Sequence, residues 1–204
     1  MPKIERLNDI TFDLNKDNYI FSIDPGKENF ACRLEKRSYD GYIDGVIFVK
    51  IALSENALTD ITFFLDNNDQ LLSKTNIMIV ERQMPINYRM VRISQHCETY
   101  FLTKYPNVTI FEISPKLKAE KKLTYTTSLE ILERGKDLKS KELLESMKKQ
   151  KMKIDDLCDT VCQIHATIEE LKNIKSVPRG PSCFKKVTVK KKRGKPKKDN
   201  LSEN

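Results

Sequence analysis

The chain reads as an α/β protein, a mixed five-stranded sheet flanked by helices, and three observations predict it. Apolar runs at residues 18–24, Asn29 to Glu35 and Tyr42 to Leu53 follow one another across brief turn-forming links such as Asp40-Gly41, the pattern of an antiparallel meander. From Asn56 to Leu72 the apolar period turns helical, with Leu58, Ile61, Phe64 and Leu65 on one face, and a strand at 77–81 follows. A right-handed parallel crossover through that helix sets strand 77–81 beside strand 18–24. After Pro85 the alternation repeats, with a helix from Tyr88 to Lys104 and a fifth strand from Val108 to Ile113. Residues 116–137 read as polar and irregular. Two helices, Leu138 to Lys149 and Ile154 to about Lys172, complete a domain over residues 1–174.

Charge divides the chain unevenly. The net charge is +8, yet residues 175–204 hold eleven Lys/Arg against two acids, a local +9 that leaves residues 1–174 near −1. A basic tail of this composition is not expected to order. Its Lys190-Lys191-Lys192-Arg193 run suits phosphate contacts made without sequence choice, and it serves equally as a solubilising tail or nuclear-import signal. No apolar run approaches the ~20 residues that span a bilayer, and Met1 to Arg6 lacks the apolar core of a secretory signal. The expectation is an intracellular protein, not secreted and with no membrane partner. Five scattered cysteines without a CxxC pair fit reduced thiols. Cys158, Cys162 and His165 lie on one predicted helix, where His96-Cys97 could join them in a zinc site. They coincide with the helix's apolar stripe, so core packing is expected in its place.

Carboxylates carry the chemical signal. Tyr19-Ile20-Phe21-Ser22-Ile23 ends in Asp24 with Pro25-Gly26 behind it, and Ile77-Met78-Ile79-Val80 ends in Glu81. If the two strands pair in parallel, both acids reach the same edge of the sheet. On the last helix Asp155, Asp156 and Asp159 fall within about 100° of arc, bordering the apolar side formed by Ile154, Leu157, Val161, Ile168 and Leu171. Such a trio alone is an ordinary solvated face; joined to two strand-end acids it becomes a ligand set. Clustered carboxylates raise one another's pKa and need a cation. Hard oxygen donors suit Mg²⁺ or Mn²⁺, and two such ions about 3.5–4 Å apart hydrolyse phosphodiesters. Neither a Ser/His/Asp nor a Cys/His arrangement has a placed candidate, because His96 and His165 sit within predicted helices.

Basic residues between the acids are candidates for holding a phosphate backbone. Lys116 and Lys118 follow strand 108–113, and Lys139 and Lys141 open the next helix, whose N-terminus favours an anion. Beyond Glu81, Tyr88, Arg89 and Arg92 either line the same groove or form an ordinary amphipathic helix surface.

Three blocks together resemble the RuvC-like Holliday junction resolvases of the RNase H superfamily, in particular the poxvirus and iridovirus branch and its mitochondrial relatives. They are Ser22-Ile23-Asp24-Pro25-Gly26-Lys27-Glu28-Asn29, Ile79-Val80-Glu81-Arg82-Gln83 and Lys153-Ile154-Asp155-Asp156-Leu157-Cys158-Asp159. The resemblance spans about residues 18–172 and implies an RNase H-like sheet. It implies metal-binding acids at Asp24, Glu81, Asp156 and Asp159, with Asp155 competing for the place of Asp156, and active-site lysines at Lys118 and Lys141. Asn29 and Gln83 would shape the site. It further implies a homodimer that makes paired nicks in four-way DNA junctions with Mg²⁺, supported by the Tyr88 to Lys104 helix. Residues 116–137 lack the glycine-rich run of bacterial relatives, and the tail has no place in the family pattern. The reading is a junction-resolving endodeoxyribonuclease of recombination, repair or replication, at work in a host's cytoplasm or nucleus if viral. Its alternatives are another RNase H-fold nuclease, acting on flaps, branched DNA or RNA–DNA hybrids, and a non-catalytic nucleic-acid-binding protein.

Overall fold

A computed structural model describes residues 4–8, 13–120 and 125–176, the side chains of 118–120 and 174–176 excepted. In chain order its elements are Ile4–Arg6 (β1), Asn18–Pro25 (β2), Asn29–Arg37 (β3), Ile43–Ala52 (β4), Ala57–Asn67 (α1), Asp69–Leu72 (α2), Ile77–Glu81 (β5), Tyr88–Lys104 (α3), Thr109–Ile113 (β6), Pro115–Glu120 (α4), Tyr125–Arg134 (α5), Leu138–Lys149 (α6) and Asp155–Ser176 (α7). Most of the basic tail, including Lys190, Lys191, Lys192 and Arg193, lies outside the described residues, as does Cys183.

The strands form one mixed sheet in the order β1-β6-β5-β2-β3-β4. β2, β3 and β4 are the antiparallel meander that the turn signals predict. β5 lies parallel to β2 with Ser22 opposite Ile79 and Ile23 opposite Val80, as the crossover rule requires. Among the described residues the sheet has six strands where the sequence suggests five. β1 adds three residues antiparallel to β6 at the edge, too few to leave a periodic signal. The stretch 116–137 is not irregular either: it contains α4 and α5. In α5, Ser128, Ile131 and Leu132 turn to the core at helical spacing.

Alternation along each strand sorts side chains between two layers. Phe21 and Ile23 of β2, Phe30, Cys32 and Leu34 of β3, and Met78 and Val80 of β5 face α1 and α3, where they meet Ile61, Leu65, Ile93 and Phe101. Phe21 stacks on Phe101 with centroids 5.2 Å apart, each ring contributing about 1.5–3 kcal/mol by burial. On the other face α7 crosses the sheet. Its Ile164 and Ile168 pack on Ile20, Ile77, Ile79 and Phe111, while Ile154, Leu157, Cys158 and Val161 pack on Ala31, Ile43 and α5. Cys158 and Cys162 are buried thiols outside any disulfide, packed as their apolar stripe predicts.

A charged joint fixes the α5–α6 pair to the sheet. The guanidinium of Arg33, fully buried, donates to Glu35 (2.6 Å), Asp137 (2.5 Å) and the Ser140 hydroxyl (3.0 Å), and it lies over the Phe48 ring. Burial alone would raise the Glu35 carboxyl; Arg37 and Arg33 more than offset it and hold it below its ordinary 4.5. Gly45 gives the room, since a Cβ there would sit 2.6 Å from the Asp137 carboxylate. Among the described residues no helix is long and apolar enough to cross a membrane.

Candidate functional site

Strand parity decides where the predicted acids point. Ser22 donates its hydroxyl to Gln163 Oε1 of α7 at 2.6 Å, so Ser22 and Asp24, two residues on, belong to the α7 face. In β5, Ile79 packs against α7, which places Glu81 on that same face. Glu81 and Asp24 lie one step beyond the last registered pair of their parallel strands, at one edge of the sheet. Both are half-buried. The turn behind Asp24 closes tightly: the Gly26 amide donates to the Asn29 carbonyl at 2.8 Å. A Cβ on Gly26 would stand 2.7 Å from that oxygen, so only glycine fits.

The first turns of α7 bring the helical acids over this edge. Asp156 and Asp159 are half-buried and Asp155 is exposed. Asp156 Oδ2 lies 2.6 Å from Lys50 Nζ, and Lys153 Nζ lies 3.9 Å from its other oxygen. Lys50 of β4 is opposite Ala31 of β3, which is opposite Asp24 of β2. Lys50, Ala31, Asp24 and Glu81 therefore form one row across the sheet, with α7 above it. Further along α7, Gln163 is fully buried and spans two strands. Its amide oxygen accepts from Ser22, and its Nε2 donates to Glu81 Oε2 at 3.1 Å.

Among the described residues, no three His, Cys, Asp or Glu side chains stand together as a set able to hold a metal ion. The carboxylates share a face and an edge but answer protein partners, Lys50 for Asp156 and Gln163 for Glu81. The donor chemistry nonetheless fits Mg²⁺ or Mn²⁺, since each acid on the row offers hard carboxylate oxygens from half-buried positions.

The predicted basic residues divide. β6 runs parallel to β5 and ends at the same edge, so α4 starts there and Lys116 is exposed in its first turn. The Lys118 side chain lies outside the described residues. Lys139 is exposed and Lys141 pairs with Glu133 at 3.1 Å. Their helix begins over Arg33 and Gly45, further back along the strands. The anion that its N-terminus favours is the protein's own Asp137, which accepts from the Ser140 amide at 3.2 Å. The opposite end of α6 leads to Lys153, whose carbonyl lies 3.4 Å from Lys50 Nζ. Arg89 and Arg92 are exposed at the start of α3, just past Glu81 in the chain but on the other layer. Arg89 donates to the Ser54 carbonyl at 2.7 Å, Arg92 lies over the Tyr88 ring, and with the start of α1 they line a cavity of about 480 Å³. Gln83 donates to the Glu81 carbonyl at 3.1 Å.

Sequence reasoning did not single out Lys50 or Gln163. A lysine within the apolar run Val46–Ile51 was a readable signal for the first. A glutamine four residues beyond Asp159, on the packed side of a helix, was one for the second.

No protein-family model matches the chain. A protein of Invertebrate iridescent virus 6, 170L, is 24% identical over 76% of this chain and 90% of its own length. Among solved structures, the fowlpox virus resolvase, determined with Holliday junction DNA, superposes with a TM-score of 0.56 at 17% identity, covering 75% of this chain and 98% of that one. The yeast mitochondrial Holliday junction resolvase Ydc2 gives 0.52 at 14%, covering 80% and 84%. RuvC of Thermus thermophilus gives 0.52 at 11%, covering 76% and 96%. The chain thus has the RNase H-like fold of the RuvC-like Holliday junction resolvases, and it shares sequence with an iridovirus protein.

Proposed function

We propose that the protein is a divalent-metal-dependent endodeoxyribonuclease that resolves four-way DNA junctions by paired, symmetric nicks. One observation carries this reading. Asp24 and Glu81 end adjacent parallel strands on the face that α7 covers with Asp156 and Asp159, in a fold shared with structures of resolvases. Asp24, Glu81, Asp156 and Asp159 would hold the metal, Asp155 being exposed beside them. When bound, a pair of Mg²⁺ or Mn²⁺ ions supplies Lewis-acid activation of water and of the scissile phosphodiester. The chain's own residues do the rest. Gln163 orients Glu81 from α7, Lys50 and Lys116 present ammonium groups at the site's edge, and the basic tail adds phosphate contacts that hold DNA without reading its sequence.

Symmetric nicking requires two sites, and a homodimer supplies them. Support comes from Met84, Ile86 and Tyr88, which are 61%, 85% and 67% exposed where the chain enters α3, an apolar cluster of the kind that marks an interface. The work would take place inside a host cell, in cytoplasm or nucleus, on DNA during recombination or replication.

The test is Asp24→Asn assayed on a synthetic four-way junction with Mg²⁺. Cleavage should vanish while binding, read by gel retardation, stays at or above the parent's. Cleavage at the parent rate would refute the metal assignment. A flap and an RNA–DNA hybrid run in parallel separate a resolvase from other nucleases of this fold.

A further inference from the structure

Lys50 is tied to one of the acids on the row it shares with Asp24 and Glu81. Its side chain is only 15% exposed and that of Asp156 only 22%, yet their charged atoms meet at 2.6 Å. Lys50 Nζ also lies 3.4 Å from the Lys153 carbonyl at the mouth of the loop that leads into α7. Its strand places it two positions from Asp24 across the sheet, about 10 Å between backbones. A half-buried carboxylate needs a counter-charge, and here the sheet provides one from within the row of acids. Lys50 already holds one of the oxygens that Asp156 would offer a divalent ion, and two cations on one carboxylate weaken each other's hold. The four-carbon stem of lysine lets its ammonium leave without moving β4. A phosphate of a DNA backbone passing the sheet edge is an anion that could receive it.

We propose that Lys50 is a positioning residue with two partners. It holds Asp156 while that carboxylate lacks a metal, and it transfers its ammonium to the DNA backbone beside the acids once a divalent ion takes the carboxylate. This rests on the reading of Asp156 as a metal ligand. It makes Lys50 a competitor of the metal and an ally of the substrate, a combination that a plain structural ion pair lacks.

The full-length protein tests it with Lys50→Met, which keeps the stem and removes the charge, and Lys50→Arg, which keeps the charge. Mn²⁺ binding without DNA, followed by electron paramagnetic resonance of the free ion, should tighten roughly fivefold in Lys50→Met. It should stay near the parent value in Lys50→Arg. Junction binding in Ca²⁺, without cleavage, should weaken in Lys50→Met, and the slope of log K against log salt should fall by about 0.9, one phosphate contact. Lys50→Gln serves if Lys50→Met fails to fold. Unchanged Mn²⁺ affinity and salt slope in a cooperatively folded variant would overturn the proposal. Asp156→Asn tells the two failures apart. If it weakens Mn²⁺ while Lys50→Met changes nothing, only the Lys50 role falls. If it too leaves Mn²⁺ binding at the parent value, the metal reading falls with it.

Discussion

Replacing Gln163 with leucine should cost stability in a way that one further substitution returns. The amide is fully buried between β2, β5 and α7, taking a hydrogen bond from Ser22 at 2.6 Å and giving one to Glu81 at 3.1 Å. Leucine fills a similar volume but leaves the Ser22 hydroxyl, itself 0% exposed, without its acceptor. A stranded buried hydroxyl costs about 1–3 kcal/mol, partly offset by the apolar surface that leucine brings. The net expectation is a loss of about 2 kcal/mol, or roughly 4–8 °C in Tm for a domain of this size. Ser22→Ala in the Gln163→Leu background removes the stranded group and should recover most of that loss, because two apolar partners are nearly neutral where one polar orphan is not. Calorimetry on parent, two singles and the double gives the coupling. A Gln163→Leu protein melting with the parent, or a double variant no more stable than Gln163→Leu, would refute the bridge. Junction cleavage should stay depressed even in the stable double variant, since Glu81 would still lack the donor that orients it.

Two further outcomes follow from buried charge elsewhere. Arg33→Met leaves Asp137 and one side of Glu35 unpaired in the interior, which should cost about 3 kcal/mol in urea unfolding. Glu35 is held below its ordinary 4.5, so its contribution is present above pH 4.5 and lost as pH falls through its folded value; the variant should show a shallower acid decline. Glu98 of α3 behaves oppositely: burial, then the charge of Glu112, push its carboxyl up to about 7. It keeps its proton in the fold where the unfolded chain has lost it, so its contribution is present below 4.5 and disappears as pH rises through 7. Glu98→Gln should therefore be more stable than the parent at pH 8.5, by about 1–2 kcal/mol once partial exposure is allowed for. An unchanged difference in melting temperature between pH 5 and pH 8.5 would exclude that role for Glu98.

The layering of this fold was written in the sequence wherever a segment was long enough to show its period. Helices Tyr88–Lys104 and Leu138–Lys149 begin and end where their patterns predict, and β2 through β5 pair as the short connections and the crossover rule demand. What escaped was short or was stabilised only by its neighbours. β1 is three residues whose strand conformation depends on β6 being there to bond. α5 reads as polar because its outward Thr126, Thr127, Glu130 and Glu133 outnumber its buried Ser128, Ile131 and Leu132, and its helix gains stability from packing on α7 and α6.

The site divides along the same physical line. A carboxylate that ends an apolar strand announces itself, because the strand's burial pattern is local and the acid breaks it; so do two aspartates three residues apart on one helix. Their partners are set by contacts between residues far apart in the chain, 106 positions from Lys50 to Asp156 and 82 from Glu81 to Gln163. No local pattern encodes such a pairing. It follows only once the register is known: Lys50 opposite Ala31 and Ala31 opposite Asp24 put a cation on the acid row, and a one-residue slip in either ladder would have turned it into the α1–α3 core. The β-bulge where Leu34 gives way to Glu35 lies between Lys50 and the start of β4, so the strand can kink there without disturbing that alignment. The arrangement of charge at this sheet edge is therefore set by register as much as by residue type, which is why the acids were legible from the sequence and the lysine that pairs with Asp156 was not.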